Sequence, residues 1–446
     1  MRFEKSEILN FSNLFTLLIC FFPFSTVIGN LIVNINILII CIIGLIFKFK
    51  NSLNFKSNYF IKILFFFFSL VFITSLLAFF KNYDALNETK DFLRNFLKSI
   101  FFLRFLLLVL IIKLLIDENL INFKFIFYFY GCFALFIGLD TIYQNFNGYN
   151  ILGYQKFGSS PSGVYFDELI VGSYIQRFSF FAIFFITLIF KDKKILSNFL
   201  LFLSIVIIVS SSFYSSNRMP FVLFIFGLII FSFFEKKYIF TILISLIVSG
   251  LFIDYTADKR QRDYYTSSFL GNTKRIAKTF FNYLDKNNNE IKKTKSEEFS
   301  ERGSGHLIIF KNAFYFSKEN KTFGVGLKNY YKYCQDNSDN DKVYICTNHP
   351  HNYYLDILVS NGILNLLIFT TLYVLILLQS LKVLFFTKNL NPEYKKMLLT
   401  VFITFLLELL PIRSSGAFFT TGNASFIFLI LAFVIAMNSN LKKINI

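Results

Sequence analysis

Residues 347–362 read Thr347-Asn-His-Pro-His-Asn-Tyr-Tyr-Leu-Asp-Ile-Leu-Val-Ser-Asn-Gly362, and they carry the chain from its one long hydrophilic segment back into an apolar run. The stretch holds His349 and His351, two of the three histidines. The run it opens extends to about residue 381, beyond the ~20 residues that a helix needs to cross a ~30 Å hydrocarbon layer. Histidine titrates nearest neutrality, so it suits proton movement at a membrane edge. The stretch therefore predicts membrane-spanning helices with chemistry gathered at one face.

The rest of the chain repeats the pattern. Of 446 residues, 55% are hydrophobic and 16% charged, and the mean hydropathy is +0.57. Apolar runs fall in the ~17–25-residue range of spanning helices. A closed barrel would instead show alternating segments of roughly 10 residues, which are absent. Trp is absent as well, so Tyr and Phe supply any interfacial belt. The expected fold is an all-α membrane protein of about twelve spans: 11–29, 31–47, 59–80, 97–116, 123–143, 169–190, 196–213, 219–234, 238–254, 352–381, 397–412 and 418–437. The first run, from Phe11, is followed by no small-residue cleavage site, which predicts that no signal peptide is removed.

A net charge of +18 raises nucleic acid as a partner. The arrangement argues against it, because most lysines lie in short loops between apolar runs. Lys48, Lys50 and Lys56 share one loop, and Lys113 and Lys124 flank another. Lys191, Lys193 and Lys194, then Lys236 and Lys237, then Lys382, Lys388, Lys395 and Lys396 mark three more, with Lys442 and Lys443 near the end. With the N-terminus inside, all of these fall in the cytoplasm, and so do both termini. The chain then divides into spans one to nine (1–254), a large periplasmic loop (255–351), and spans ten to twelve with a cytoplasmic tail (352–446). A loop that long is usually functional or disordered. Its first half, around Lys286-Asn-Asn-Asn-Glu290, reads as solvated. Its second half has helical apolar spacing from Leu307 to Phe316, as in an amphipathic helix on the membrane surface, ended by Gly324 and Gly326.

Cys334 and Cys346 lie in this loop, and an oxidising compartment makes them a disulfide candidate. Zinc held by the same cysteines and the two histidines is the competing reading. Neither pair has ligand spacing, so no metal is expected. Arginines on the outer side are the next signal, since positive-inside statistics disfavour them there. Arg218 opens the eighth span, and a guanidinium can hold a diphosphate through paired hydrogen bonds; its alternative is an interfacial anchor. Arg94, Lys98 and Arg104 form a basic stripe, either lining the same cavity or binding lipid phosphate. Arg177, beside Gln176, lies inside the sixth span and should face protein or water. Arg413 follows Pro411 at another outer edge. Arg302-Gly-Ser-Gly-His306 precedes the interfacial helix, whose N-terminus favours an anion. Asp167 and Glu168 open the sixth span, where a carboxylate could orient a histidine or bind a sugar hydroxyl.

Three blocks together resemble the O-antigen ligase and polymerase superfamily of membrane glycan transferases. His349-Pro-His-Asn-Tyr-Tyr-Leu through Gly362 resembles the His-Asn-x-x-Leu…Gly signature that follows the large periplasmic loop. Ser215-Ser-Asn-Arg-Met-Pro220 resembles the Ser-x-Ser-Arg-Gly turn. Gly303-Ser-Gly-His-Leu-Ile-Ile-Phe310 with Phe323-Gly-Val-Gly-Leu-Lys-Asn-Tyr330 resembles the Ser-Gly-Arg…Trp…Gly-x-Gly block. The match covers roughly residues 150–435, and the first five spans match only in hydropathy. His306 stands where the family often has Arg, with Arg302 four residues earlier, and Phe310 replaces the usual Trp. In the His-Asn pair, His351 is the direct match, Asn352 its partner, and His349 is additional.

The resemblance implies a GT-C-like helical transferase in the bacterial inner membrane that needs no metal or other cofactor. Its donor would be a glycan on undecaprenyl diphosphate, and its acceptor lipid A–core or another glycan, amid membrane lipids. His351 would act as general base on the acceptor hydroxyl. Arg218, with Arg302 or His306, would stabilise the departing diphosphate. His349, Asn352, Arg94, Arg177, Glu168 and Arg413 would bind substrate. Ligation to lipid A–core is preferred over polymerisation of lipid-linked repeats, because the His-Asn-x-x-Leu block and the long loop suit it better. A polysaccharide or lipid transporter is the alternative from another class, and it would show repeat symmetry and more charge near the midplane.

Overall fold

The computed structural model describes residues 5–81, 89–265, 305–336, 346–387 and 390–439. Among them the chain is helical, with two isolated β-bridges and no strand. The helices are α1 (Lys5–Ile28), α2 (Asn30–Lys50), α3 (Tyr59–Lys81), α4 (Thr89–Phe102), α5 (Arg104–Asp117), α6 (Phe123–Asn147), α7 (Val171–Ile189) and α8 (Lys194–Tyr214). They continue with α9 (Arg218–Phe234), α10 (Ile239–Thr256), α11 (Lys259–Tyr265), α12 (Gly305–Glu319), α13 (Tyr330–Asp336), α14 (Tyr353–Phe386), α15 (Pro392–Glu408) and α16 (Thr421–Ser439).

Two helices are buried on nearly every face, which places them at the centre of the bundle. In α16 every residue from Ala424 to Asn438 is buried, and α7 is enclosed almost as fully. Around them α6 and α8 pack on α7, and α5 packs on α16. Lipid tails are as apolar as leucine, so this association rests on close packing and buried polar pairs rather than on escape from water. Tyr130 meets Phe178 edge-on with ring centroids 5.1 Å apart, and Asn361 Nδ2 donates to Thr74 Oγ1 at 2.6 Å.

Contacts sort the turns into two ends. At one, Glu393 pairs with Lys124 at 2.9 Å and Lys191 at 3.0 Å, and Lys56 approaches Glu118 at 3.7 Å. At the other, Asn95 Nδ2 donates to Asn329 at 2.7 Å, and Gln261 Nε2 donates to Asn145 at 2.8 Å. The lysine-rich turns thus share one end, and the described parts of 255–351 gather at the opposite one.

Ten helical segments among the described residues are long and apolar enough to cross a membrane, where twelve were expected. The two that fall short are α9 and α15, 17 residues each, at the expected spans 219–234 and 397–412. At 1.5 Å per residue they are ~25 Å long, just under the hydrocarbon thickness. The α15 helix stops at Glu408, before the expected end, and the chain turns at Leu409–Pro411. The amphipathic helix is present as α12, with Ile308, Ile309, Ala313 and Phe316 buried and Phe314 exposed. It packs against α14.

The expected tenth span holds a break that its hydropathy hides. The α14 helix is two helices joined at Gly362, where φ is +79° and ψ 178°. A break frees backbone groups, which must find partners away from water. The segment after α12 supplies them: Val325 N–H donates to Val359 O at 2.8 Å and Gly326 N–H to Ser360 O at 2.9 Å. Ile363 N–H donates in turn to Lys321 O at 2.8 Å. Contact this close excludes side chains on both strands of backbone. A Cβ on Gly362 would sit 2.1 Å from Thr322 O, and one on Gly324 2.5 Å from Val359 O. Gly362→Ala should therefore cost ~1–3 kcal/mol in backbone strain alone and push residues 320–326 off the kink. Proteolysis of the full-length protein in detergent checks this, since cleavage near residues 320–326 should accelerate. Cleavage at the wild-type rate would contradict it.

Candidate active site

Asn352, Tyr354 and Asp356 tie the head of α14 to the turn between α15 and α16. Asn352 caps the helix: its side-chain oxygen accepts from the Tyr354 and Leu355 N–H groups at 3.0 and 3.1 Å. Its Nδ2 donates to the carbonyls of Pro411 at 2.7 Å and Arg413 at 3.0 Å. Tyr354 OH donates to Leu409 O at 2.6 Å, and the Asp356 carboxylate accepts from Phe418 N–H at 2.8 Å. Ser415 N–H donates to the carbonyl of His351 itself at 2.8 Å. His351 is thereby held at φ +54°, a left-handed conformation that a non-glycine residue adopts only under constraint.

This frame presents two imidazoles side by side. The rings of His349 and His351 have centroids 4.2 Å apart. His349 forms part of the wall of a cleft of about 500 Å³ that Arg94, Lys98, Lys328 and Lys332 also line. No carboxylate lines it among the described residues. Four cations around one open space raise the local concentration of anions. Lys98 Nζ donates to Asn95 at 2.9 Å, which aims it. Burial holds the Lys328 ammonium below the ordinary lysine pKa, and the nearby Asp356 carboxylate works against that drop. Cys334 of α13 and Cys346 form a disulfide, with Cα atoms 5.7 Å apart. It staples the helix carrying Lys332 to the segment leading into Asn348 and His349.

Directly behind the frame lies a buried ion network. Glu408 accepts from Arg177 at 2.6 Å, from Arg413 at 2.6 Å and from Tyr353 OH at 2.9 Å. Arg177 also donates to Asn423 at 2.7 Å, and its guanidinium lies 5.1 Å from the Tyr174 ring and 5.0 Å from that of Phe426. Arg177 thus faces protein, and Arg413 turns inward from the edge where it was expected. Neither lines the cleft.

The expected residues therefore fall into separate groups. Arg94 and His349 meet in the cleft, with His351 against His349, while Asn352 belongs to the frame. Arg218 and Glu168 lie at a different junction, where α9 begins beside the start of α7, and neither lines the cleft. There Asn217 accepts from Gly172 N–H and donates to Leu169 O, both at 3.0 Å. Arg302 and the side chain of His306 lie outside the described residues. Lys328, Lys332, Asn95 and Thr420 line the cleft and were not anticipated. Lys328 and Lys332 stand four apart just after Gly324-Val-Gly326, a spacing that could have flagged them.

Comparison with known families follows the same geometry. A family model described as O-antigen ligase matches residues 199–370. That stretch runs from α8 through Arg218, α12, α13 and both histidines, and ends beyond the Gly362 kink. No curated protein matches the chain. Residues 199–370 of this multi-pass membrane protein are thus similar to the O-antigen ligase family, whose members are membrane glycosyltransferase-like enzymes.

Proposed function

We propose that the protein is a ligase-type glycosyltransferase that moves a glycan from undecaprenyl diphosphate to lipid A–core. The reaction takes place on the periplasmic face of the inner membrane, with both termini in the cytoplasm. The observation that carries this reading is the cation-lined cleft with His349 in its wall and His351 against it. In the reaction the acceptor hydroxyl attacks the anomeric carbon of the donor, a new C–O bond forms, and the bond to the diphosphate breaks. His351 takes the hydroxyl proton. Arg94, Lys98, Lys328 and Lys332 face the diphosphate as it gains charge, where preorganised cations stabilise the transition state. Arg302 or His306, just before and at the start of α12, would add a further cation. Arg218 and Glu168, at the α7–α9 junction, are assigned to the remaining substrate contacts. Arg177 and Arg413 act through Glu408 by holding the frame.

Lipopolysaccharide from a deletion strain tests the choice of acceptor. Loss of O-chain from the core, with long lipid-linked polymer accumulating, is expected of a ligase. Single repeats still attached to the core would identify a polymerase and overturn the proposal.

A further inference from the structure

A second cavity, of about 360 Å³, opens beside the cationic cleft between the end of α3 and the segment joining α12 to α13. That size falls within the ~300–1,000 Å³ of small-ligand sites. Its charge balance is acidic where its neighbour's is basic. Glu319 and Asp336 contribute carboxylates against one cation, Lys321, with Asn320 and Asn329 adding amides, Tyr333 a phenol, and Phe323 a ring that is 44% exposed. The polar groups are set in advance: Tyr333 OH donates to Glu319 at 2.8 Å and lies 2.7 Å from the Asn320 amide nitrogen, which donates to it. Asn329 lines both cavities. Both ends of its amide are committed, accepting from Asn95 at 2.7 Å and donating to Val325 O at 3.0 Å. It thus forms a fixed partition between them.

Carboxylates and amides accept and donate to neutral hydroxyls, and an exposed aromatic ring covers an apolar face, which together match one side of a sugar. Two carboxylates against a single lysine leave the groove with an acidic excess, which disfavours a phosphorylated ligand. We propose that this groove is a saccharide subsite, holding the neutral sugar of the donor glycan nearest the diphosphate. The inference rests on the donor reading of the cationic cleft: a diphosphate there places its first sugar at the Asn329 partition. Charge balance then separates the two halves of one substrate, with the anion in the cationic cleft and the sugar in the groove where carboxylates outnumber the single lysine.

The test uses the full-length protein in detergent with two changes to exposed side chains, Phe323→Ala and Asp336→Asn. In each, KM for the glycan-bearing donor should rise roughly five- to tenfold, the scale of one hydrogen bond or one stacked ring. Inhibition by undecaprenyl diphosphate without sugar should stay unchanged. An unchanged donor KM, an equal weakening of that inhibition, or a rise confined to acceptor KM would each overturn the proposal. Saturation-transfer NMR with the free O-chain repeat oligosaccharide separates the two levels of inference. A sugar ring-proton signal that is present with wild type and vanishes with Phe323→Ala supports the subsite even if the wild type transfers no glycan. Transfer by a wild type that gives no such signal would remove the subsite and leave the function standing.

Discussion

Glu408→Ala should destabilise the protein by about 3–5 kcal/mol, the cost of leaving buried charge without its partner. Glu408 is the single carboxylate between Arg177 and Arg413 in the buried network, and all three side chains are 4% exposed or less. Removing it strands two guanidiniums where water cannot reach them. It also removes the acceptor of Tyr353 OH and loosens the 409–420 turn, to which Asn352, Tyr354 and Asp356 are tied. Replacing the whole network with apolar residues (Arg177→Met, Glu408→Leu, Arg413→Met) should recover much of the loss, because it removes the charges together. Thermal unfolding of the full-length protein in detergent measures both. A Glu408→Ala protein as stable as wild type would show that the network does not hold the frame.

His351→Asn should lower glycan transfer by roughly 10²–10⁴-fold, the usual contribution of a general base, while leaving stability near wild type. Asparagine is chosen because it tolerates the left-handed backbone found at this position, so the Ser415 hydrogen bond to the carbonyl can persist. Loss of transfer with normal membrane abundance would separate proton removal from folding. The pH profile offers a second view. A histidine base must be neutral, so the rate should fall as pH drops through the histidine range. At the alkaline end the rate should fall as Lys328 loses its proton, and that limb should begin below the ordinary lysine pKa because burial has lowered it. In Lys328→Arg the alkaline limb should move upward, since arginine stays charged. An unmoved limb would remove Lys328 from donor binding.

Hydropathy was enough to outline the helices, because apolar runs of spanning length have few other uses. It could not show the break at Gly362, since a kinked helix and a straight one have the same composition. The break becomes visible only when residues 321–326 are laid against it, forty residues away in sequence. The cysteine pair was legible from its setting, and the disulfide joins those two residues. The arginines were legible as anomalies but not in their roles. Arg177 and Arg413 each find the same carboxylate, Glu408, over long and short separations respectively, and no local spacing encodes that meeting. Lys328 and Lys332 passed unnoticed because lysines in a polar loop resemble solvated surface. Only the fold brings them to face Arg94 and Lys98.

The central claim is that the cleft beside the two histidines receives the donor diphosphate. An experimental structure of the protein with undecaprenyl diphosphate bound tests it most directly. The diphosphate is expected among Arg94, Lys98, Lys328 and Lys332, beside His349, with the isoprenyl chain leaving toward lipid. A diphosphate seated instead at Arg218 and the α7–α9 junction, with the lysine cleft empty, would contradict it.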